Sequence, residues 1–109
     1  MPVTCDEYNG VSVVTLKGDL SATEAAALRD TLANRAKRPN VVIDLEACHF
    51  IASVGLEALL DALRTCEQRG GRVMLAGLDA NCLKVLQITR LDHRFECHSE
   101  LASALKVMT

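Results

Sequence analysis

The amino-acid sequence predicts an α/β fold, with a mixed, mostly parallel β-sheet that begins with an N-terminal hairpin and four helices covering at least one face. Short apolar runs alternate with stretches in which Leu and Ala recur every three or four residues, as strands alternate with amphipathic helices. The first two apolar runs are separated by Asn9-Gly10, a strong signal for a tight hairpin. The composition, 50% hydrophobic and 24% charged, is that of a folded globular domain.

The hairpin is predicted to consist of an edge strand over Pro2–Tyr8 and a second strand over Val11–Leu16. Asn9-Gly10 can form the turn between them because both residues tolerate positive φ angles. Gly18-Asp19 is expected to end the second strand, so that the chain opens with two antiparallel strands.

The first helix is predicted to begin after Ser21. Ser21 and Glu24 have the spacing of a capping box, in which the hydroxyl caps the helix and the carboxylate reaches back to the backbone. Pro39-Asn40 is expected to end the helix. One apolar stripe recurs at steps of three and four residues: Ala25, Leu28, Leu32 and Ala36.

The middle of the chain predicts a strand, a helix and a further strand. Val41–Leu45 is almost continuously apolar, which is typical of a central strand covered on both faces. A helix is expected from Gly55 to about Gln68, followed by a strand over Arg72–Gly77. The apolar face of that helix is predicted to contain Leu56, Leu59, Leu60 and Leu63.

The last third of the chain predicts two short helices and one strand, and residues 1–109 are expected to form a single domain. Asp79 is expected to cap a helix that ends near Thr89, His93–His98 to form the strand, and Ser99 to cap the final helix. The apolar positions are Cys82, Val85, Leu86 and Thr89 in the first of these helices and Leu101, Ala104, Leu105 and Met108 in the second.

Charge and hydropathy exclude several classes of protein. The net charge is −2 and the twelve basic residues are scattered, which argues against direct nucleic-acid binding. The N-terminal sequence MPVTCDEYNG lacks the basic and apolar regions of a signal peptide. No apolar run approaches the roughly 18 residues of a membrane span. We therefore expect a cytoplasmic protein without membrane insertion.

The cysteines predict neither disulfides nor a metal site. Their number, five, is odd and their spacing is irregular, which argues against a disulfide framework. Cys48-His49 and Cys97-His98 are the residues that could suggest a metal, but neighbours on a strand point to opposite faces. We expect reduced thiols, no bound metal and no cofactor.

The sequence also lacks the signatures of an enzyme, and we expect no catalytic residues. The Walker, GxGxxG and HExxH motifs are absent. Ser53 does not lie in a nucleophile elbow, because Ile51 stands where that motif has glycine. Asp44 and Glu46 could share one face of a strand end, but a solvated turn explains such carboxylates better than acid–base catalysis does.

Ser53 remains the one residue to which the pattern gives two roles. It lies between an apolar strand and a helix, where its hydroxyl could cap the helix. Alternatively, it could carry a phosphate, which would lie at the positive end of the helix dipole. A phosphate adds about −2 charge and can change partner affinity without a large change of shape.

Residues 41–95, VVIDLEACHFIASVGLEALLDALRTCEQRGGRVMLAGLDANCLKVLQITRLDHRF, resemble the STAS domains of the anti-sigma factor antagonist type. The shared features are an apolar strand ending in an acid and Leu, a Ser shortly before Gly-Leu at a helix start, and a Gly-Gly turn before the next strand. Upstream, VVTLKGDLSATEAAALRDTL is similar to the strand, turn and first helix of the family. The resemblance covers roughly Val11 to Leu105 and implies a STAS-like domain.

This resemblance implies partner switching. The family member binds an anti-sigma factor with a GHKL-type serine kinase fold and so frees a sigma factor. The kinase phosphorylates the serine that corresponds to Ser53, and a PP2C-type phosphatase removes the phosphate. The resemblance implies a partner-binding surface made of Ser21, Thr23, Ala52, Ser53, Val54, Gly55 and Leu56.

The sequence departs from the family pattern around the acceptor serine. Ala52 replaces an acid, Val54 replaces a small hydroxyl residue, and Ser21 replaces an Asp. An apolar patch at a helix start suits a permanent interface. The alternative function is therefore a STAS adaptor that is not phosphorylated, for example a subunit of an ABC-type lipid-transport complex.

Overall fold

The computed structural model describes residues 2–109, which form a five-stranded sheet flanked by helices. The strands lie in chain order, β1 pairs antiparallel with β2, and every other neighbouring pair is parallel. The predicted fold class is thus confirmed. In chain order the elements are β1 (Val3–Tyr8), β2 (Val11–Leu16), α1 (Ala22–Asn34), β3 (Val41–Asp44), α2 (Ser53–Gln68), β4 (Val73–Ala76), α3 (Ala80–Ile88), a 3-10 turn (Leu91–His93), β5 (Glu96–His98) and α4 (Leu101–Met108).

The predicted hairpin is confirmed. Tyr8 pairs with Val11, which leaves only Asn9 and Gly10 in the turn. Both turn residues have positive φ, 48° at Asn9 and 82° at Gly10, as a two-residue hairpin of this twist requires. β1 is an edge strand, as the sequence predicts.

The helices cover both faces of the sheet. The larger core lies on the side of α1, α2 and α3 and includes Val41, Ile43 and Leu75. The smaller core lies under α4 and includes Val42 and Met74 from the opposite face of the same strands. The prediction that β3 is buried on both faces is therefore confirmed, since its side chains alternate between the two cores.

The first helix is shorter than the sequence predicts, and Pro39-Asn40 does not end it. α1 finishes at Asn34, where the backbone N–H groups of Arg35 and Ala36 both donate to the carbonyl of Thr31. The chain then runs back towards β2, and the carbonyl of Asn40 accepts a hydrogen bond from the backbone N–H of Ser12. This return requires a non-helical chain before Pro39, although Ala36 is still buried as predicted.

Three predictions near the C-terminus are wrong in detail. Thr89 is the exposed C-cap of α3, and its hydroxyl donates to the carbonyl of Val85 at 2.7 Å, so it does not belong to the apolar face. The last strand begins at Glu96, because His93 still belongs to the 3-10 turn and pairing with β4 starts only at Glu96. Glu100, not Ser99, occupies the N-cap of α4. The predicted apolar stripe of α4 does face the smaller core.

Candidate functional site

Ser53 is the first residue of α2 and is exposed to solvent. Ala52 occupies the N-cap position with an extended backbone, φ −78° and ψ 165°, and no side chain caps the helix. The carbonyl of Ala52 accepts hydrogen bonds from the backbone N–H groups of Gly55 at 2.9 Å and Leu56 at 3.0 Å. The helix therefore starts two residues before the predicted Gly55, and the interpretation of Ser53 as an N-cap is wrong.

A short parallel bridge between Leu20 and Ile51 positions this helix start. The backbone N–H of Leu20 donates to the carbonyl of Phe50, and the N–H of Ala52 donates to the carbonyl of Leu20, both at 2.9 Å. Leu20 and Ile51 are buried, so the bridge is also fixed by packing. The turn after β2 and the loop after β3 thus form one unit that carries Ser53.

Gly55 is buried where this unit crosses α2. A Cβ atom placed on Gly55 would lie 2.5 Å from the carbonyl oxygen of Leu20 and 2.6 Å from its Cγ. Because such distances are shorter than any van der Waals contact, only glycine fits at this position without moving the Leu20 backbone. The resemblance places Gly55 on the partner-binding surface, but its buried position gives it a packing role beneath that surface.

Two carboxylates and a histidine join the loops at the carboxyl ends of β2, β3 and β4. Asp19 Oδ1 accepts a hydrogen bond from the backbone N–H of His49 at 2.9 Å, and His49 Nδ1 lies 2.9 Å from Asp79 Oδ2. Asp79 also caps α3, as predicted, because its Oδ1 accepts from the backbone N–H of Cys82 at 2.9 Å. The hydrogen bond from the Cys82 N–H holds the pKa of Asp79 below its usual value, and the hydrogen bond with His49 adds a smaller effect in the same direction.

The predicted partner-binding residues divide into an exposed group and an underlying group. Gly55 is buried, and Leu56 is partly buried against the larger core. The residues that the bridge and the starts of α1 and α2 expose are Ser21, Thr23, Ser53 and Val54, and Ala52 is partly buried among them. The sequence interpretation missed Phe50, which is 57% exposed beside this group.

Ser21 and Glu24 interact at the start of α1, but not as the predicted capping box. Ser21 is the N-cap residue, but its side chain caps no backbone N–H. Its hydroxyl donates instead to the carboxylate of Glu24, which lowers the pKa of that carboxyl group. Ser21 and Glu24 therefore present a hydroxyl–carboxylate pair beside Ala52.

The other candidate sites remain separate from this one. Asp44 Oδ1 accepts from the backbone N–H of Glu46 at 3.1 Å, which identifies Asp44 as a turn residue. Within residues 2–109, no three His, Cys, Asp or Glu side chains are grouped so that they could hold a metal ion. The five cysteines carry free thiols. None of the described helices combines the length and apolar character needed to cross a membrane.

Comparisons with known proteins agree with this arrangement. Residues 3–104 match the model of the STAS domain family. Over 107 residues the chain is 33% identical to the anti-sigma-F factor antagonist RsfB of Mycobacterium tuberculosis, and the match covers 94% of this chain and 85% of RsfB.

Two solved structures show the same fold over almost the whole chain. One is an anti-sigma factor antagonist from Mycobacterium paratuberculosis, with 27% identity, a TM-score of 0.82 and coverage of 97% of this chain and 92% of that one. The other is the phosphorylated form of the Bacillus cell fate determinant SpoIIAA, with 19% identity, a TM-score of 0.74 and coverage of 98% and 99%.

Proposed function

The chain belongs to the STAS domain family, and from this membership we propose that it is an anti-sigma factor antagonist. It binds an anti-sigma factor and thereby frees a sigma factor for transcription. The names of its relatives from Mycobacterium tuberculosis and Mycobacterium paratuberculosis support this role. The structural observation that carries the proposal is the exposed hydroxyl of Ser53 at the first position of α2, in the middle of an exposed surface.

The proposed partner is an anti-sigma factor with a GHKL-type serine kinase fold. It transfers the γ-phosphoryl group of ATP to Ser53 Oγ; ADP leaves, and a base on the kinase takes the hydroxyl proton. The first turn of α2 suits a phosphate, because the backbone N–H groups at a helix start point outward and the helix dipole is positive there. In this account the chain is a substrate in the cytoplasm, acts as one domain over residues 1–109, and needs no cofactor.

Phosphorylation is expected to release the partner. A phosphate on Ser53 would add about −2 charge within a surface that also carries the exposed apolar side chains of Phe50 and Val54. Glu57, one helical turn further along, is exposed and would repel it. The doubly charged group would therefore be costly to bury in a complex, and a PP2C-type phosphatase would restore binding.

Direct phosphorylation of the purified chain tests this mechanism. The chain is incubated with ATP and each GHKL-type kinase of its own genome, with Ser53→Ala as the matched control. We expect the intact mass to increase by a single phosphoryl group in the wild type and to stay unchanged in Ser53→Ala. An unmodified wild-type chain with every such kinase would contradict the switching mechanism.

A second candidate function is that of a permanent adaptor subunit, for example of an ABC-type lipid-transport complex. The apolar Ala52 and Val54 beside Ser53 favour this alternative, since an interface that never dissociates has no need of polar groups around an acceptor serine. The adaptor function predicts stable co-purification with an ATPase subunit and no phosphate on Ser53. The antagonist function predicts phosphate on Ser53 and no stable co-purification with an ATPase subunit.

A further inference from the structure

Phe50 and Val54 form an exposed apolar pair on either side of Ser53, and the fold imposes their exposure. Phe50 is 57% exposed and Val54 is 40% exposed. The carbonyl of Phe50 is fixed by hydrogen bonds from the Leu20 N–H at 2.9 Å and the Cys48 thiol at 3.2 Å. The next residue, Ile51, is buried, whereas Phe50 and the preceding His49 lie at the surface.

Four carboxylates belong to the loops and helix starts that carry this pair. Asp19 and Glu24 flank the bridge on the α1 side, Asp79 lies across His49, and Glu57 follows Ser53 by one turn. Within residues 2–109, none of these four carboxylates forms an ion pair with Lys or Arg. Asp79 contacts His49, and Lys17 lies two positions before Asp19 in the sequence. The surface therefore has an apolar centre and an acidic rim.

This inference rests on the proposed antagonist function and names the chemistry of its partner. We propose that Phe50 and Val54 are the specificity-determining contacts of this chain, and that the anti-sigma factor docks an apolar patch flanked by Lys or Arg side chains on them. Large aromatic side chains at the centre of an interface carry much of its affinity, whereas charged rims mainly set the association rate and its salt dependence.

Substitution of the apolar pair tests the centre of the docking surface. Binding of the cognate GHKL-type anti-sigma factor is measured by calorimetry for Phe50→Ser, Phe50→Leu and Val54→Thr. Ile88→Ser is the matched control, because Ile88 is 71% exposed at the end of α3. We expect Phe50→Ser to weaken binding about tenfold or more. Val54→Thr should weaken binding severalfold, and Phe50→Leu should weaken it less than Phe50→Ser does. The affinity of Ile88→Ser should stay within twofold of the wild type.

The acidic rim is tested by charge reversal on α2. Glu57→Lys reverses a rim charge, and Glu67→Lys makes the same change near the other end of the helix. We expect Glu57→Lys alone to lower the association rate, and the wild-type rate to fall as salt increases from 50 to about 300 mM. Equal association rates for Glu57→Lys and Glu67→Lys would contradict the proposal that Lys or Arg side chains flank the apolar patch of the partner.

The outcomes separate this inference from the function on which it rests. If the wild type binds the anti-sigma factor and Phe50→Ser binds as well as Ile88→Ser does, the docking surface is overturned and the antagonist function stands. If the wild type binds no GHKL-type anti-sigma factor of its genome, the antagonist function fails and the docking surface fails with it. Because Phe50 and Val54 are exposed, the variants should keep the wild-type melting temperature, which circular dichroism checks.

Discussion

Gly55 controls how closely the loop after β2 can approach α2. The atom that a new Cβ would meet first is a backbone oxygen, that of Leu20, 2.5 Å away. Rotation of a side chain cannot relieve this contact, so the bridge between Leu20 and Ile51 must shift. The glycine is thus a structural requirement of the surface that carries Ser53.

We therefore expect Gly55→Ala to be destabilising even though alanine favours helices. Overpacking of this kind costs about 1–3 kcal/mol, which should appear as a lower midpoint of urea unfolding. Val54→Ala, one residue earlier on the exposed side of the same helix turn, is the matched control and should change stability little. Equal stability of wild type and Gly55→Ala would show that the loop after β2 moves to accommodate the added methyl group without cost.

The cysteines differ in accessibility, and this difference predicts their reactivity. Cys48, Cys66 and Cys82 are buried, and burial raises the pKa of Cys66 to about 11 and that of Cys82 further. Cys97 is exposed, although partial burial of its thiol, together with Asp92, raises its pKa as well. Burial also raises the pKa of Cys5 and Cys48, so the nucleophilic thiolate is scarce at neutral pH for all five cysteines.

Iodoacetamide is expected to modify Cys97 first in the folded chain, at a rate that rises about tenfold per pH unit between pH 7 and 9, because only the thiolate reacts. Cys97→Ser should remove the fast phase in mass spectrometry. The buried thiols should react only after unfolding in urea. Fast modification of Cys66 in the native protein would contradict the burial seen here.

The start of α3 depends on the charge of Asp79, because its carboxylate accepts the Cys82 N–H and lies beside His49. The folded state lowers the pKa of Asp79 below 3.8, so the carboxylate stabilises the fold above its unfolded-state pKa. That stabilisation is lost as the pH falls through the folded-state pKa.

Asp79→Ala should accordingly lower the melting temperature at pH 7, and its difference from the wild type should shrink as the pH falls below about 3.8. Thermal unfolding at a series of pH values measures this convergence. Asp30→Ala is a suitable control, because Asp30 is exposed in the middle of α1. A difference that stayed constant down to pH 2 would exclude the carboxylate charge as its cause.

The secondary-structure elements show which sequence signals were sufficient. Asn9-Gly10 and the apolar runs predict the hairpin and the parallel strands correctly, because these signals are local. The sequence places the start of α2 too late. Ser53 looks like a capping residue ahead of a helix that begins at Gly55, whereas the helix already begins at Ser53. In the structure, Ala52 takes the extended N-cap position through its hydrogen bond to Leu20, 32 positions away, which no local pattern reveals.

The complete chain assembles its candidate site from loops that are distant in sequence. Ser53 could be identified from its position between a buried strand and a helix, and from the family resemblance. Phe50 could not, because its exposure follows from the bridge to Leu20. The contacts of His49 with Asp19 and Asp79, each 30 positions away, likewise depend on the order of the parallel strands.

The measurement that tests the central claim most directly is the affinity of the chain for its cognate GHKL-type anti-sigma factor, compared between wild type, Ser53→Ala and Ser53→Asp. Ser99→Asp provides the control, because Ser99 is exposed between β5 and α4. If Ser53 lies at the centre of the partner-binding surface, Ser53→Ala and Ser99→Asp will bind like the wild type. Ser53→Asp will bind at least about tenfold more weakly, because the new charge must be desolvated in an apolar interface. Equal affinity of Ser53→Asp and the wild type would contradict the claim.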